Sequence, residues 1–351
     1  MKYQAAIRLA ICVILTAGLI GTVLCFALDS RDKALLNRQS DALAPQSEAE
    51  ATKGEQWQEP SAPMFLGEKA EKYSLADPTN DRFTDTDLLY EQGDAADRER
   101  VQIYDRMLRA PICYYNADVT FETNMITGRN TVVHDSTVVP ISGDEAIAAY
   151  EKITGSDGQV RETFVSGTQI TTVDHAAKEI RQSRSGVFTQ NTAILFSPND
   201  RIHVDEKGQP HYTFMANITN CPSAPYVLFP QGLVYSFLKD FDRWEITEHD
   251  KYLDRECVRI EGTVTPWIAE KHGIDSFVMV VDYDTGVLLG FSGNLNGATK
   301  KYIRVTDCTL QGYQIENGKH WYKDSAWSTV HAEDIQKFDA AAYPDYRIVT
   351  E

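Results

Sequence analysis

Positive charge is the scarce commodity here: 34 Lys and Arg stand against 51 Asp and Glu in 351 residues, a formal net charge of −17. Such a surface excludes nucleic acid, whose affinity for proteins comes largely from Lys and Arg displacing counterions. The usual marks of catalysis are missing too. No CxxC pairs two of the 6 cysteines, which removes redox-motif and zinc-ribbon readings. No HExxH, phosphate loop or dinucleotide fingerprint occurs, and Gly290-Phe291-Ser292-Gly293 misses the GxSxG spacing of a nucleophile elbow. Acidic pairs such as Asp240/Asp242 and Glu245/Glu248 are expected by chance in so acidic a chain. Neither a catalytic residue, a cofactor nor a metal site is expected, and the chain does not read as an enzyme.

From Leu9 to Leu28 the chain runs for 20 residues without a charge. As a helix it would span about 30 Å, the thickness of a bilayer core. Lys2 and Arg8 precede it and Asp29 follows, so the expected topology is a single-pass anchor with everything beyond residue 29 extracytoplasmic. A cleaved signal ending near Cys25-Phe26-Ala27 and a lipidated Cys25 are the alternatives. Residues 29–85, with Pro45, Pro60, Pro63 and Pro78 and no apolar period, read as a disordered linker. Four cysteines remain in the exported part: Cys113, Cys221, Cys257 and Cys308. They permit up to two disulfides, Cys257 with Cys308 being the preferred pair, against the alternative of buried thiols.

Beyond the linker, Val101, Tyr104 and Leu108 recur at helical spacing over Ala95–Arg109, ahead of Pro111. Asp118–Asn124 and Asn130–Val139 read as strands. Ser142 with Glu145 suggests a capping box that opens a helix through Ile153. Ser166-Gly167 and Asp284-Thr285-Gly286 mark two hairpin turns, and His203 and His211 would face each other across a third. With Asp205 nearby these histidines offer zinc-type ligands, but a solvated hairpin is the expected reading. After Pro230, Val234, Phe237, Leu238 and Phe241 make a helical stripe. Strands at Trp244–Thr247, Cys257–Val264, Phe277–Val281, Val287–Phe291 and Lys301–Leu310 follow. The segregated order argues for an α+β fold with a large antiparallel sheet.

The succession of FPQGLVYSFL, WEI, YLDRECVRIEG and the hairpin FVMVVDYDTGVLLGFSG resembles the LolA, LolB and RseB superfamily of lipoprotein carriers and sigma-E regulators. That resemblance implies a half-open antiparallel β-barrel with helices packed on its concave side, over residues 86–313, followed by a C-terminal extension at 314–351. It also implies an apolar cavity for lipid or lipidated protein, lined by Phe237, Phe241, Val278, Val280, Leu288 and Phe291. The alternative role is a protein-interaction sensor that contacts another membrane protein, as an anti-sigma-factor system would use.

Overall fold

In the computed structural model, residues 74–75, 83–126, 128–138, 147–185, 198–204, 210–214, 219–316, 319–322 and 334–350 are described. The apolar run at 9–28 and the membrane contact expected of it lie outside these residues. Among the described residues no helix is long and apolar enough to cross a membrane. The chain divides into two compact units, Met1–Thr52 with Gln314–Trp321, and Lys53–Tyr313 with Tyr322–Glu351. Of the first unit only the last residues of one strand and most of the short strand after it are described. The second unit carries all that follows.

Two short strands, β1 (Ser74–Leu75) and β2 (Phe83–Thr84), pair ahead of two helices, α1 (Thr86–Gln92) and α2 (Ala95–Arg109). The main sheet begins with β3 (Tyr114–Thr123), β4 (Thr131–Val138), β5 (Ala148–Gly155), β6 (Val160–Ser166), β7 (Gln169–Asp174) and β8 (Glu179–Arg184). A small hairpin of β9 (Ile202–Val204) and β10 (Pro210–Tyr212) leads to α3 (Ala224–Val227) and α4 (Gln231–Phe237). Then come β11 (Trp244–Tyr252), β12 (Arg255–Thr263), α5 (Pro266–His272), β13 (Ser276–Asp282), β14 (Leu288–Leu295) and β15 (Ala298–Glu316). β16 (Lys319–Tyr322) and β17 (Arg347–Thr350) close the chain.

The strand order is β11-β12-β13-β14-β15-β3-β4-β5-β6-β7-β8-β17, with β16 on β15. Every ladder along that path is antiparallel except β8–β17, which is parallel. β11 and β17 end the path without pairing to each other, so among the described residues the sheet is open, as a half-open barrel requires.

The helix expected over Ala95–Arg109 is α2, and its start shows why. Asp94 Oδ1 accepts from the Asp97 amide at 2.9 Å, and Asp97 Oδ2 accepts from the Asp94 amide at 3.2 Å, a reciprocal cap. Its Arg100 donates to the carbonyls of Phe241 and Trp244, and so ties α2 to the start of β11. The helix expected to run through Ile153 is instead strand β5 from Ala148 onward. Cross-strand pairing with β4 and β6 settles it: Ala149 and Glu151 face one way and Ala148 and Tyr150 the other, at a period of two. Ahead of α1, Phe83 is wholly buried and the Thr84 amide donates to the Lys239 carbonyl.

Each face of the β4–β8 region buries its own core. Val119, Val133, Ala149 and Val165 join the helices in one cluster, and we call this the inner face. On the outer face Val138, Tyr150, Phe164, Val173 and Ile180 are covered by Ile335, Phe338, Tyr343 and Tyr346. Glu162 pins that covering segment, accepting from Tyr150 at 2.7 Å and Tyr343 at 2.9 Å, with His175 Nε2 at 2.7 Å. Burial opposes its charge, but those three partners outweigh it and hold the carboxyl below the usual glutamate range.

The β13–β14 turn fits against α2. Gly286 has φ +72°, and a Cβ there would lie 2.4 Å from the backbone carbon of Arg106. Left-handed backbone costs an L-residue about 1–2 kcal/mol before any clash. Gly286→Ala is therefore expected to lower unfolding stability by about 2 kcal/mol or more, read from urea denaturation. An unchanged midpoint would contradict the close fit.

Candidate functional site

The sequence-derived lining residues separate into three groups. Phe237 of α4 lies 5.2 Å from Phe291 and 5.3 Å from Phe277, ring centre to ring centre. Leu288 pairs with Val281 and is fully buried. Phe241 sits beyond the end of α4, not on it, with its ring 5.3 Å from Tyr104 and 4.8 Å from Trp244. Val278 and Val280 belong to the opposite face. Their register partners are Glu261 and Arg259 on β12 and Ser292 and Gly290 on β14, whereas Phe291 pairs with Met279. The period of two allows no other outcome once Met279 and Phe291 share the helix-covered face.

None of Cys113, Cys221, Cys257 and Cys308 forms a disulfide, and the preferred Cys257–Cys308 bond is not made. Both thiols are instead pushed up to about 12, first by burial and then, for Cys257, by the neighbouring Asp282 carboxylate. His203 and His211 are register partners, as the hairpin reading required.

The inner face holds something the sequence reading did not single out. Asp135 of β4 and Glu151 of β5 are direct register partners, and Thr163 of β6 continues the row. Asp135 and Glu151 have no exposed surface. Neither Asp135 oxygen has a hydrogen-bond partner, nor has Glu151 Oε1 or Thr163 Oγ1. Glu151 Oε2 accepts from the Ser223 amide at 2.7 Å. Cys221 comes down from the segment leading into α3, so that one ligand-type atom from each of Asp135, Glu151 and Cys221 falls within 4.8 Å of the others. The segment entering α3 thus reaches the acidic row, while α4 packs on Phe277 and Phe291.

Burial pushes the Glu151 carboxyl up to about 7, against the pull of its Ser223 hydrogen bonds and the Arg161 charge. Asp135 is driven well above its ordinary value by burial, then by Glu151 and Asp118. Cys221 rises likewise from burial and then from the Asp135 and Glu151 carboxylates. A nucleophilic cysteine needs a lowered value, so this thiol is not activated for covalent chemistry. Two carboxylates and a thiol are, in contrast, a donor set that divalent cations take.

A second uncompensated group is Arg201, ahead of β9. It is fully buried, donates through Nη1 to the Leu108 carbonyl at 3.3 Å, and leaves Nε and Nη2 without partners. Burial lowers its value. Beside it the Thr213 amide donates to the Arg201 carbonyl at 2.7 Å, and Tyr235 of α4 donates to the Thr213 carbonyl at 3.1 Å. Phe214, 51% exposed, stands with its ring 5.1 Å from Tyr235. No local sequence pattern marks the burial of Arg201.

The architecture is that of an open antiparallel sheet with helices on one face. No family model matches the sequence, and no curated protein matches it. Among solved structures, an uncharacterized conserved protein from Thermus thermophilus is similar at 7% identity and TM-score 0.33, over 71% of this chain and 97% of that one. MucB in its complex with MucA from Pseudomonas aeruginosa is similar at 14% identity and TM-score 0.32, over 60% of this chain and 56% of the other. LprF from Mycobacterium bovis is similar at 10% identity and TM-score 0.32, over 61% and 91%.

The acidic row makes stability depend on pH. A carboxyl whose value is raised on folding keeps a proton that the unfolded chain gives up. Its stabilising effect is complete below the ordinary value of 4.5 for Glu151 and is lost as pH rises through about 7. Each such proton contributes a slope of up to about −1.4 kcal/mol per pH unit. In EDTA-treated protein, urea midpoints are expected to fall between about pH 4.5 and about pH 7. Glu151→Gln should shrink that fall, and the double variant with Asp135→Asn should abolish it. A wild-type midpoint that rises across this window would contradict the assignment.

Proposed function

We propose that the chain is a membrane-anchored extracytoplasmic binding protein, not an enzyme, that takes up an anionic acyl-bearing ligand, a lipid or the lipid of a lipidated protein. The observation that carries this reading is the buried, half-satisfied guanidinium of Arg201 beside the aromatic group of Tyr212, Phe214 and Tyr235. A buried cation with two kinds of N–H donor unmet is costly unless an anion completes it. A carboxylate or phosphate head group supplies that anion, and guanidinium binds both in bidentate fashion. The acyl chain then belongs on the inner face, where Phe237, Leu288 and Phe291 form the apolar seat.

The cover over that seat is slight. α3 and α4 have 4 and 7 residues. Segments this short owe their order to packing rather than to helix propensity, and they can lift and re-pack at modest cost. Val278 and Val280 lie on the other face of β13.

Native mass spectrometry of the full chain released from detergent is expected to show a retained acyl-bearing adduct. Arg201→Met is expected to weaken binding of a fluorescent fatty acid at least about tenfold while leaving thermal stability equal or higher, because the variant removes an unmatched buried charge. A chain that retains no lipid and binds no fatty acid would contradict the proposal and leave a regulator-type contact with another membrane protein as the reading.

A further inference from the structure

We infer that Asp135, Glu151 and Cys221 bind one divalent transition-metal ion of the zinc type, which fastens the segment entering α3 to the inner face of the sheet. Three observations converge on it. The donor atoms already lie within 4.8 Å of one another. Two donors on a tetrahedral zinc ion stand about 3.5 Å apart, so side-chain adjustments of up to about an ångström bring the three onto one ion. Asp135, with no exposed surface, offers two oxygens that no protein group satisfies, and Glu151 offers one more. Orphaned carboxylate oxygens in a packed interior call for a cation, and the described surroundings place neither Lys nor Arg in hydrogen bond with either residue.

The mix of one sulfur and two oxygens suits zinc or cobalt better than calcium or magnesium, which favour oxygen alone. Three protein donors leave a fourth tetrahedral position for water, and Thr163 Oγ1, next along the row and without a partner, gives that water something to bond. Ser223 acts on the outer side: its amide holds Glu151 Oε2 and so orients the carboxylate.

The ligands come from separate layers. Asp135 and Glu151 are on β4 and β5, whereas Cys221 precedes α3 by a few residues. A bound ion therefore couples the cover to the sheet, and metal affinity becomes stability of the closed form. The inference does not depend on which ligand the apolar seat takes, or on whether it takes one.

The test uses full-length protein without a polyhistidine tag, purified in detergent from cells grown with added zinc or cobalt, and also stripped with EDTA and reloaded. Metal analysis is expected to give one ion per chain. The cobalt form is expected to show a sulfur-to-cobalt charge-transfer band that zinc abolishes. Cys221→Ser should lose that band, and Asp135→Asn and Glu151→Gln should each weaken zinc binding at least about tenfold. Asp135→Asn keeps the side-chain volume and its circular dichroism serves as the folding control, so the result stands even where Cys221→Ser fails to fold. Absence of the band in wild-type protein from both preparations would overturn the inference. So would unchanged zinc affinity in a folded Asp135→Asn/Glu151→Gln double variant.

Discussion

Two carboxyl groups buried side by side, with three of their four oxygens unmatched, constrain everything around them. Asp135 and Glu151 are register partners, so their separation is set by the β4–β5 ladder rather than by side-chain choice. The covering segment answers them with the Ser223 amide and the Cys221 thiol, and then turns immediately into α3. The position of the cover and the chemistry of the row are thus one arrangement. An apolar pair at these positions would pack at least as well. Keeping two acids there is intelligible where the interior receives something that acids hold.

The second buried charge has the opposite sign and a similar deficit. Arg201 donates to Leu108 and lies near Tyr235, with the Asp105 charge felt but no ion pair formed among the described residues. Several other buried charges are matched. Arg255 meets Asp282 at the edge of the β12–β13 ladder, Arg109 meets Asp105 at 2.8 Å, and Glu162 collects three donors. Against that background the two deficits, both under the α3–α4 cover or beside α4, mark the region where a ligand or an ion completes the structure.

Much of the fold was legible from local signals. The 3.6-residue stripe of Val101, Tyr104 and Leu108 found α2, and Asp284-Thr285-Gly286 found the β13–β14 turn, where Gly286 has the positive φ that its type permits. The misreading of residues 148–153 had a physical cause, whereas Ser142 and Glu145 lie outside the described residues. Ala-Ala-Tyr-Glu-Lys favours helix by propensity, but pairing with β4 and β6 overrode that preference. The error had a consequence for the site. On a helix Glu151 would be one more surface acid, whereas on β5 it alternates inward beside Asp135. The useful signal was period two: Val133, Asp135 and Thr137 share one side of β4, so an acid between two inward residues must be inward itself. Burial of Arg201 and the approach of Cys221 arise from long-range packing, which local sequence does not encode.

The central claim is that the inner face carries acids the protein alone cannot stabilise as anions. The most direct measurement is infrared difference spectroscopy of metal-free protein at neutral pH. The account predicts a C=O stretch of protonated carboxyl groups that shifts or disappears in Asp135→Asn and Glu151→Gln, and that is lost when zinc is added. Two ordinary ionised carboxylates, in metal-free protein with no protonated band, would contradict it.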